Sequence, residues 1–240
     1  MYNLLWKKII LIAVLSLFVV ELFAQREQYR SQHDDLPYYF GATLGYNLGY
    51  LAAKKSEKFL AEDSILVAEP AASGGVTIGL QATVKLTKRL QARFNPLIIL
   101  GGARYFTYTL NEKYNTNEPI EQRYTLPTTV LSLPLSIKFN SDRIDNFRTY
   151  LLFGVKADVD LSANSAARNQ EGYIKLAKYN YGIEAGVGFN LFLKFFTLTP
   201  ELKISYGLNN ILDRDPNLKY SAVFDNIQSR MIMFSLHFED

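Results

Sequence analysis

Apolar and polar residues alternate along most of this chain, and the alternation has the period of a β-strand rather than a helix. In the first segment Tyr38, Phe40, Ala42, Leu44, Tyr46, Leu48 and Tyr50 oppose Gly41, Thr43, Gly45, Asn47 and Gly49. A second sets Val76, Ile78, Leu80, Ala82, Val84 and Leu86 against Thr77, Gly79, Gln81, Thr83, Lys85 and Thr87. A third, from about Leu90 to Leu110, is blurred: Pro96 and the apolar run Leu97 to Leu100 interrupt the period and predict a bulge or bend. The fourth runs from Leu131 to Phe139, with Pro134 predicting a local irregularity.

The fifth segment sets Leu151, Phe153, Val155, Ala157, Val159 and Leu161 against Gly154, Lys156, Asp158 and Asp160. The sixth, from Tyr179 to Leu191, has a narrow polar face of Asn180, Gly182, Glu184, Gly186, Gly188 and Asn190. The seventh alternates Leu198, Leu202, Ile204 and Tyr206 with Thr199, Glu201, Lys203 and Ser205, and the eighth alternates Ile232, Phe234, Leu236 and Phe238 with Met231, Met233, Ser235 and His237. Glu239 and Asp240 extend past this last strand.

Connection lengths separate the two architectures that such strands can build. Short turns fall near Lys88, at Ser141 to Asn146 and near Lys194, whereas the connections at roughly 53–74, 111–127, 162–177 and 210–229 are long and polar. A sandwich has no reason to sort its connections in this way. A membrane barrel does, with short periplasmic turns at one end and long external loops at the other. The expected fold is therefore all-β: a transmembrane antiparallel up-and-down β-barrel of about eight strands, with both mature termini on the periplasmic side.

The first residues agree with export. Lys7 and Lys8 precede a predominantly apolar run from Ile9 to Val20, and the small residue Ala24 follows. The apolar core is short against the roughly 20 residues of a spanning helix, and the pattern is that of a cleaved signal peptide. The expected domains are a signal peptide at 1–24, a short periplasmic segment at 25–37 and an outer-membrane barrel at 38–240. The chain has no cysteine, so export brings no disulfide framework and no thiolate metal site. The net charge of +3 falls by one when Lys7, Lys8 and Glu21 leave with the leader, which gives no reason to expect a nucleic-acid partner. Sixteen Tyr and sixteen Phe fit the interfacial girdles of a membrane barrel.

If the apolar faces meet lipid, the opposite faces gather Lys85, Arg93, Lys138, Lys156, Asp158, Asp160, Glu184, Glu201 and Lys203 in the lumen. Eight strands enclose only enough space for side chains to fill. A salt-bridged structural plug is the expectation, and a diffusion pore is disfavoured. The carboxylates Asp158 and Asp160, or Glu184 and Glu201, have the chemistry for acid/base work, but lysine neighbours point to ion pairs. Surface lipid chemistry by a histidine and a serine has only His33 and His237 to draw on, with Ser235 beside the latter. His33 precedes the first strand and His237 lies at the periplasmic end of the last, so a structural, lumen-facing or turn-adjacent His237 is expected. Asp213 and Asp215 near Asn210 form an acidic turn broken by Pro216, an ordinary turn rather than a calcium loop. No nucleotide-binding, zinc-protease or serine-hydrolase motif is present, and no catalytic residue, metal or cofactor is expected. Phe234, Leu236 and Phe238 form the alternating, aromatic-ended terminal strand that barrel-insertion machinery recognises.

The segments GATLGYNLGY, LPLSIKFNSDRIDNFRTYLLFGVK, PELKISYGLNN and SRMIMFSLHFE, in that order, resemble the PorT/SprT outer-membrane barrel family of Bacteroidetes. The strand-turn-strand block around SDRIDNFR and the Ser-Arg-Met start of the final strand are its most specific parts. The resemblance implies a non-enzymatic component of the type IX protein secretion system, associated with cargo export and gliding motility. Its implied partners are outer-membrane lipid, the insertion machinery and other secretion components. A stand-alone barrel for adhesion or envelope integrity is the alternative, and a lipid-modifying enzyme is a third reading.

Overall fold

The computed structural model describes residues 28–56, 65–101, 104–111, 121–126, 128–162, 175–213 and 224–240. The expected signal peptide and Asp215 lie outside these residues. Eight antiparallel strand positions close into a ring: β1 (Tyr38–Lys55), β3 (Ser73–Lys85), β4 with β5 (Leu90–Phe94 and Leu97–Gly101), β8 (Thr129–Asn140), β9 (Phe147–Asp160), β11 (Tyr179–Phe192), β12 (Thr197–Gly207) and β14 (Phe224–Glu239). The ring closes because β1 pairs with both β3 and β14. Every pairing joins neighbours in chain order, apart from this closure and the interruption within the third strand.

Closure is what lets strands cross hydrocarbon, since no edge is left with unpaired backbone groups. Among the described residues no helix is long and apolar enough to cross a membrane. The sequence period maps directly onto the wall. Along β1, Phe40, Leu44, Tyr46 and Leu48 are exposed on the outside, while Tyr39, Thr43, Asn47 and Leu51 are buried inside. Phenylalanines mark the outer wall toward the short-turn end (Phe40, Phe189, Phe238), and tyrosines mark it toward the other (Tyr50, Tyr179, Tyr206). Such aromatic bands are the interfacial girdles of membrane barrels.

The blurred third strand has no bulge. Its partners advance in step across Asn95–Pro96: Phe94 pairs with Ala82 and Leu97 with Gly79 on one side, and Phe94 with Leu135 and Leu97 with Ser132 on the other. Burial keeps its parity as well, with Gln91, Arg93, Asn95, Leu97 and Ile99 inside and Phe94, Ile98 and Leu100 outside. The period fades because the inward face turns apolar at Leu97, not because the register slips. Pro96 cannot donate to the carbonyl of Leu80, and the Asn95 side-chain amide supplies that bond at 2.7 Å while Leu80 N–H donates to Pro96 O at 3.2 Å. Pro134 is also accommodated in register, opposite Lys156, and its carbonyl accepts from Asn95 N–H.

The long connections are not simply polar loops. They carry β2 (Ile65–Ala71) and β7 (Glu121–Leu126), and β10 (Lys175–Leu176) with β13 (Leu212–Asp213), which form a small ribbon. The expected third strand is shorter than Leu90 to Leu110: its barrel part ends at Gly101, and β6 (Arg104–Leu110) pairs with β2 and β7 in a separate three-stranded sheet. These elements share one apolar cluster with the end of the barrel: Leu51 of β1 and Ile227 and Phe224 of β14 pack with Ala68, Phe106, Tyr108, Ile211 and Leu212. Burying this cluster, rather than hydrating the loops, is what orders the cap. The short turns Leu86–Arg89, Ser141–Asn146 and Leu193–Phe196 lie at the other end, together with the described N-terminal segment and the C-terminus.

Candidate functional site

The interior of the barrel is filled in layers. Nearest the short turns, Arg93 reaches from β4 to two carboxylates, with Nη1 at 2.7 Å from Glu201 of β12 and Nη2 at 3.2 Å from Glu239 of β14. Lys138 of β8 stands 3.9 Å from Glu239 and 4.0 Å from the centre of the Tyr150 ring. Tyr150 Oη donates to Glu201 at 2.6 Å, and Gln81 Nε2 donates to Glu239 at 2.8 Å. Two cations thus face two carboxylates, all of them buried. Buried charge is tolerated when it is paired and hydrogen-bonded in this way.

Farther along, Lys203 lies 3.2 Å from Glu184, which also accepts from Ser136 Oγ at 2.6 Å. Lys156 lies 2.7 Å from Asp158, and Ser132 and Asn180 donate to the same aspartate at 2.5 and 3.0 Å. These pairs follow from parity: positions two apart share a face, and narrow glycine positions on β11 leave room for the long side chains of β9 and β12. At Gly182 a Cβ would meet Tyr206 O at 2.3 Å and the Lys156 stem at 3.2 Å. Alongside these pairs one side of the lumen is apolar: Leu97, Ile99, Val130 and Met233 pack together, with Met233 opposite Lys203 and Leu97 opposite Ser132, the strand partner of Asp158.

A 3-10 turn at Ser31–Asp34 occupies the short-turn mouth. Asp34 is gripped by Arg143 at 2.9 Å and Arg148 at 2.8 Å, and Arg143 lies over the Phe192 ring at 3.7 Å. His33 is buried, with its ring 4.7 Å from that of Tyr39 and 5.9 Å from that of Phe192. Burial, assisted by the nearby Lys85 ammonium, holds the His33 imidazole down at about 4 against the usual 6.5. Arg30 donates to the backbone carbonyl of Glu239 at 3.0 Å, so the segment before β1 is tied to the last strand.

The structure brings seven of the nine sequence-derived lumen residues into the buried interior: Arg93, Lys138, Lys156, Asp158, Glu184, Glu201 and Lys203. Lys85 is only half-buried at the mouth, where it donates to His33 O, and Asp160 is half-buried at the opposite rim, accepting from Ser162 Oγ at 2.7 Å. His237 faces the lumen, with Nδ1 2.9 Å from Thr43 Oγ1 and Nε2 3.5 Å from Glu201. Ser235 is buried on the same face. Phe234 and Phe238 are exposed on the outer wall, with Leu236 half-buried between them.

Glu239 does not extend past the last strand, as its charged neighbourhood suggests. It lies within β14 and is fully buried, on the face of Met233, Ser235 and His237. Tyr39 and Tyr150 are interior residues that the sequence pattern does not single out. Each extends a polar face one step beyond the glycine or leucine at which the alternation becomes evident, and parity is the signal that finds them. Among the described residues no three His, Asp or Glu side chains gather as metal ligands.

A family model described as "Outer membrane protein beta-barrel domain" matches residues 23–213. A search of curated proteins finds no match. Among solved structures, the chain is similar to Neisserial surface protein A, with a TM-score of 0.43, 10% identity and coverage of 83% of this chain and 96% of that one. It is similar to OprG from Pseudomonas aeruginosa, with a TM-score of 0.40, 14% identity and coverage of 83% and 96%. The outer membrane protein AlkL gives a TM-score of 0.44, 11% identity and coverage of 90% and 92%.

Proposed function

Because the chain belongs to the outer-membrane β-barrel family, we propose that it is a closed outer-membrane scaffold that works through its surfaces rather than by passing solutes through its lumen. The observation that carries this reading is the filled interior: the Arg93–Glu201–Glu239 cluster, then the lysine–carboxylate pairs with the apolar cluster beside them, occupy the lumen between a docked turn and an apolar cap. A conducting pore needs a continuous wet path, and eight strands leave no spare bore once their side chains are packed.

In this reading residues 1–24 direct export, 25–37 form the periplasmic mouth segment, and 38–240 form the barrel with both termini periplasmic. Phe234, Leu236 and Phe238 serve as the signal for insertion, and the charge network fixes the barrel without catalysing anything. The resemblance of the strand-turn-strand block around SDRIDNFR to the PorT/SprT barrels supports the finer assignment, a component needed for type IX cargo export. The folded cap, packed on an apolar cluster that it shares with the end of the barrel, favours a second reading in which the protein's outer end contacts a partner or surface directly.

Two experiments test these levels separately. Planar-bilayer recording of the refolded barrel is expected to show no steady conductance, and reproducible open channels would overturn the closed scaffold. Deleting the gene is expected to stop release of type IX cargo into the medium. Normal release would overturn that assignment and leave the adhesion or envelope reading in its place.

A further inference from the structure

We propose that Arg230, held between Tyr50 and Tyr206 on the lipid-facing wall, binds the phosphate of a lipid headgroup in the leaflet at the loop end of the barrel. Parity puts Arg230 outside: it belongs to the face of Ile232 and Phe234, not to the buried face of Met233 and Ser235. Its direct cross-strand neighbours are Tyr50 on β1 and Tyr206 on β12. The guanidinium lies 5.9 Å from one ring centre and 5.3 Å from the other, and its Nη1 donates to Tyr50 Oη at 3.4 Å. Among the described residues no carboxylate pairs with it. The long charged side chains of the lumen, in contrast, each find one.

Depth places the site at an interface. Arg230 and Phe238 are eight positions apart on β14, about 26 Å of strand and roughly 20 Å of depth at a tilt near 40°. The apolar band of such a barrel is about 25 Å tall, so with Phe238 at one edge the Arg230 backbone lies about 5 Å short of the other, beside Tyr50 and Tyr206, and its long side chain spans that distance to the headgroups. An arginine on the lipid face costs least at that level. Its planar fork presents parallel N–H donors that match two phosphate oxygens, and it stacks on aromatic rings in a way that lysine cannot. The flanking tyrosines hold the fork by cation–π contact and offer hydroxyl donors to the same anion.

The test reconstitutes the full mature chain and its Arg230→Gln and Arg230→Lys variants, then releases them gently and counts retained lipids by native mass spectrometry. Three bilayers are compared: phosphatidylethanolamine alone, the same with an anionic phosphatidylglycerol, and the same with a phosphomonoester glycolipid. The wild-type barrel is expected to retain phosphate-bearing anionic lipid about tenfold over the zwitterionic background. Arg230→Gln should lose that preference and Arg230→Lys should keep part of it. Millimolar inorganic phosphate should not displace the lipid, because the acyl chains hold the headgroup at the wall. Heat-modifiable gel mobility confirms that each variant has closed. Equal retention by wild type and Arg230→Gln would overturn the proposal, as would equal retention of anionic and zwitterionic lipids, or complete displacement by free phosphate.

Discussion

Replacing Arg93 with methionine should be among the most damaging single changes in the lumen, and its cost can be argued from charge balance. Arg93, Glu201 and Glu239 are each 1% exposed or less. Methionine keeps most of the volume but leaves Lys138, 3.9 Å from Glu239, as the one permanent cation paired with the two buried carboxylates, with the His237 ring 3.5 Å from Glu201. Two unit charges about 4 Å apart interact by about 4 kcal/mol at an effective dielectric near 20. Stranding one member of a buried pair typically costs about 3–5 kcal/mol. We expect a loss in that range for Arg93→Met. Glu201→Gln should cost less than this, because the Gln oxygen can still accept from Tyr150 Oη. The double variant restores balance, with Lys138 and Glu239 as the remaining pair, and should be about 1 kcal/mol or more better than the sum of the two singles. Trp6, the sole tryptophan, falls in the proposed leader, so urea unfolding in vesicles is best followed by circular dichroism and heat-modifiable mobility. A cost below about 0.5 kcal/mol for Arg93→Met, or strict additivity in the double variant, would refute the charge-balance argument.

Asn95→Leu should destabilise the barrel by about 1–3 kcal/mol, because Leu80 O then lacks a donor. Adding Pro96→Ala should recover part of this by restoring a backbone N–H, and no recovery in urea midpoint would show that the Asn95 amide does not replace the missing ladder bond. Gly79→Ala puts a Cβ within 2.3 Å of Pro96 O and is expected to cost about 1–3 kcal/mol; an unchanged midpoint would mean that β3 and β5 separate freely there. Docking of the N-terminal turn should depend on pH through His33. Its folded value, about 4, lies below the ordinary 6.5, so the docked state has its full advantage above about pH 6.5 and loses it progressively as the pH falls toward 4. Protease nicking near Arg30 should therefore rise between pH 7 and pH 4.5 in the wild type and stay flat in His33→Phe; identical profiles for the two would refute the assignment to His33.

The strand count, the inside and outside faces and seven interior charges were legible because all three follow from one local rule, the period of two. Which charges meet was not legible. Arg93 is 108 residues from Glu201 and 146 from Glu239, and their encounter is fixed by strand tilt and ring closure, quantities that no single segment encodes. The misreading of the third strand has a different cause. At Leu97–Leu100 the inward face turns apolar and the alternation vanishes, although the register runs unbroken past Pro96. The inward face is apolar also at Met231–Met233, which the alternation nevertheless assigns to the face of Ser235 and His237, and at the end of β1, where Leu51 enters the cap cluster.

A fading period in such a chain therefore has two physical causes that look alike in the sequence: a register break, or a lumen that has become apolar. Their effects on the rest of the strand differ. A bulge shifts every later residue to the other face, whereas an apolar lumen leaves parity intact, so Ile98 and Leu100 still face outward with Phe94. Continuing the parity of β14 outward from its apolar layer puts Glu239 inside, beside Arg93, where the structure has it. The terminal residue of a regular strand belongs to the lumen whenever its parity says so, even where a charged chain end suggests solvent.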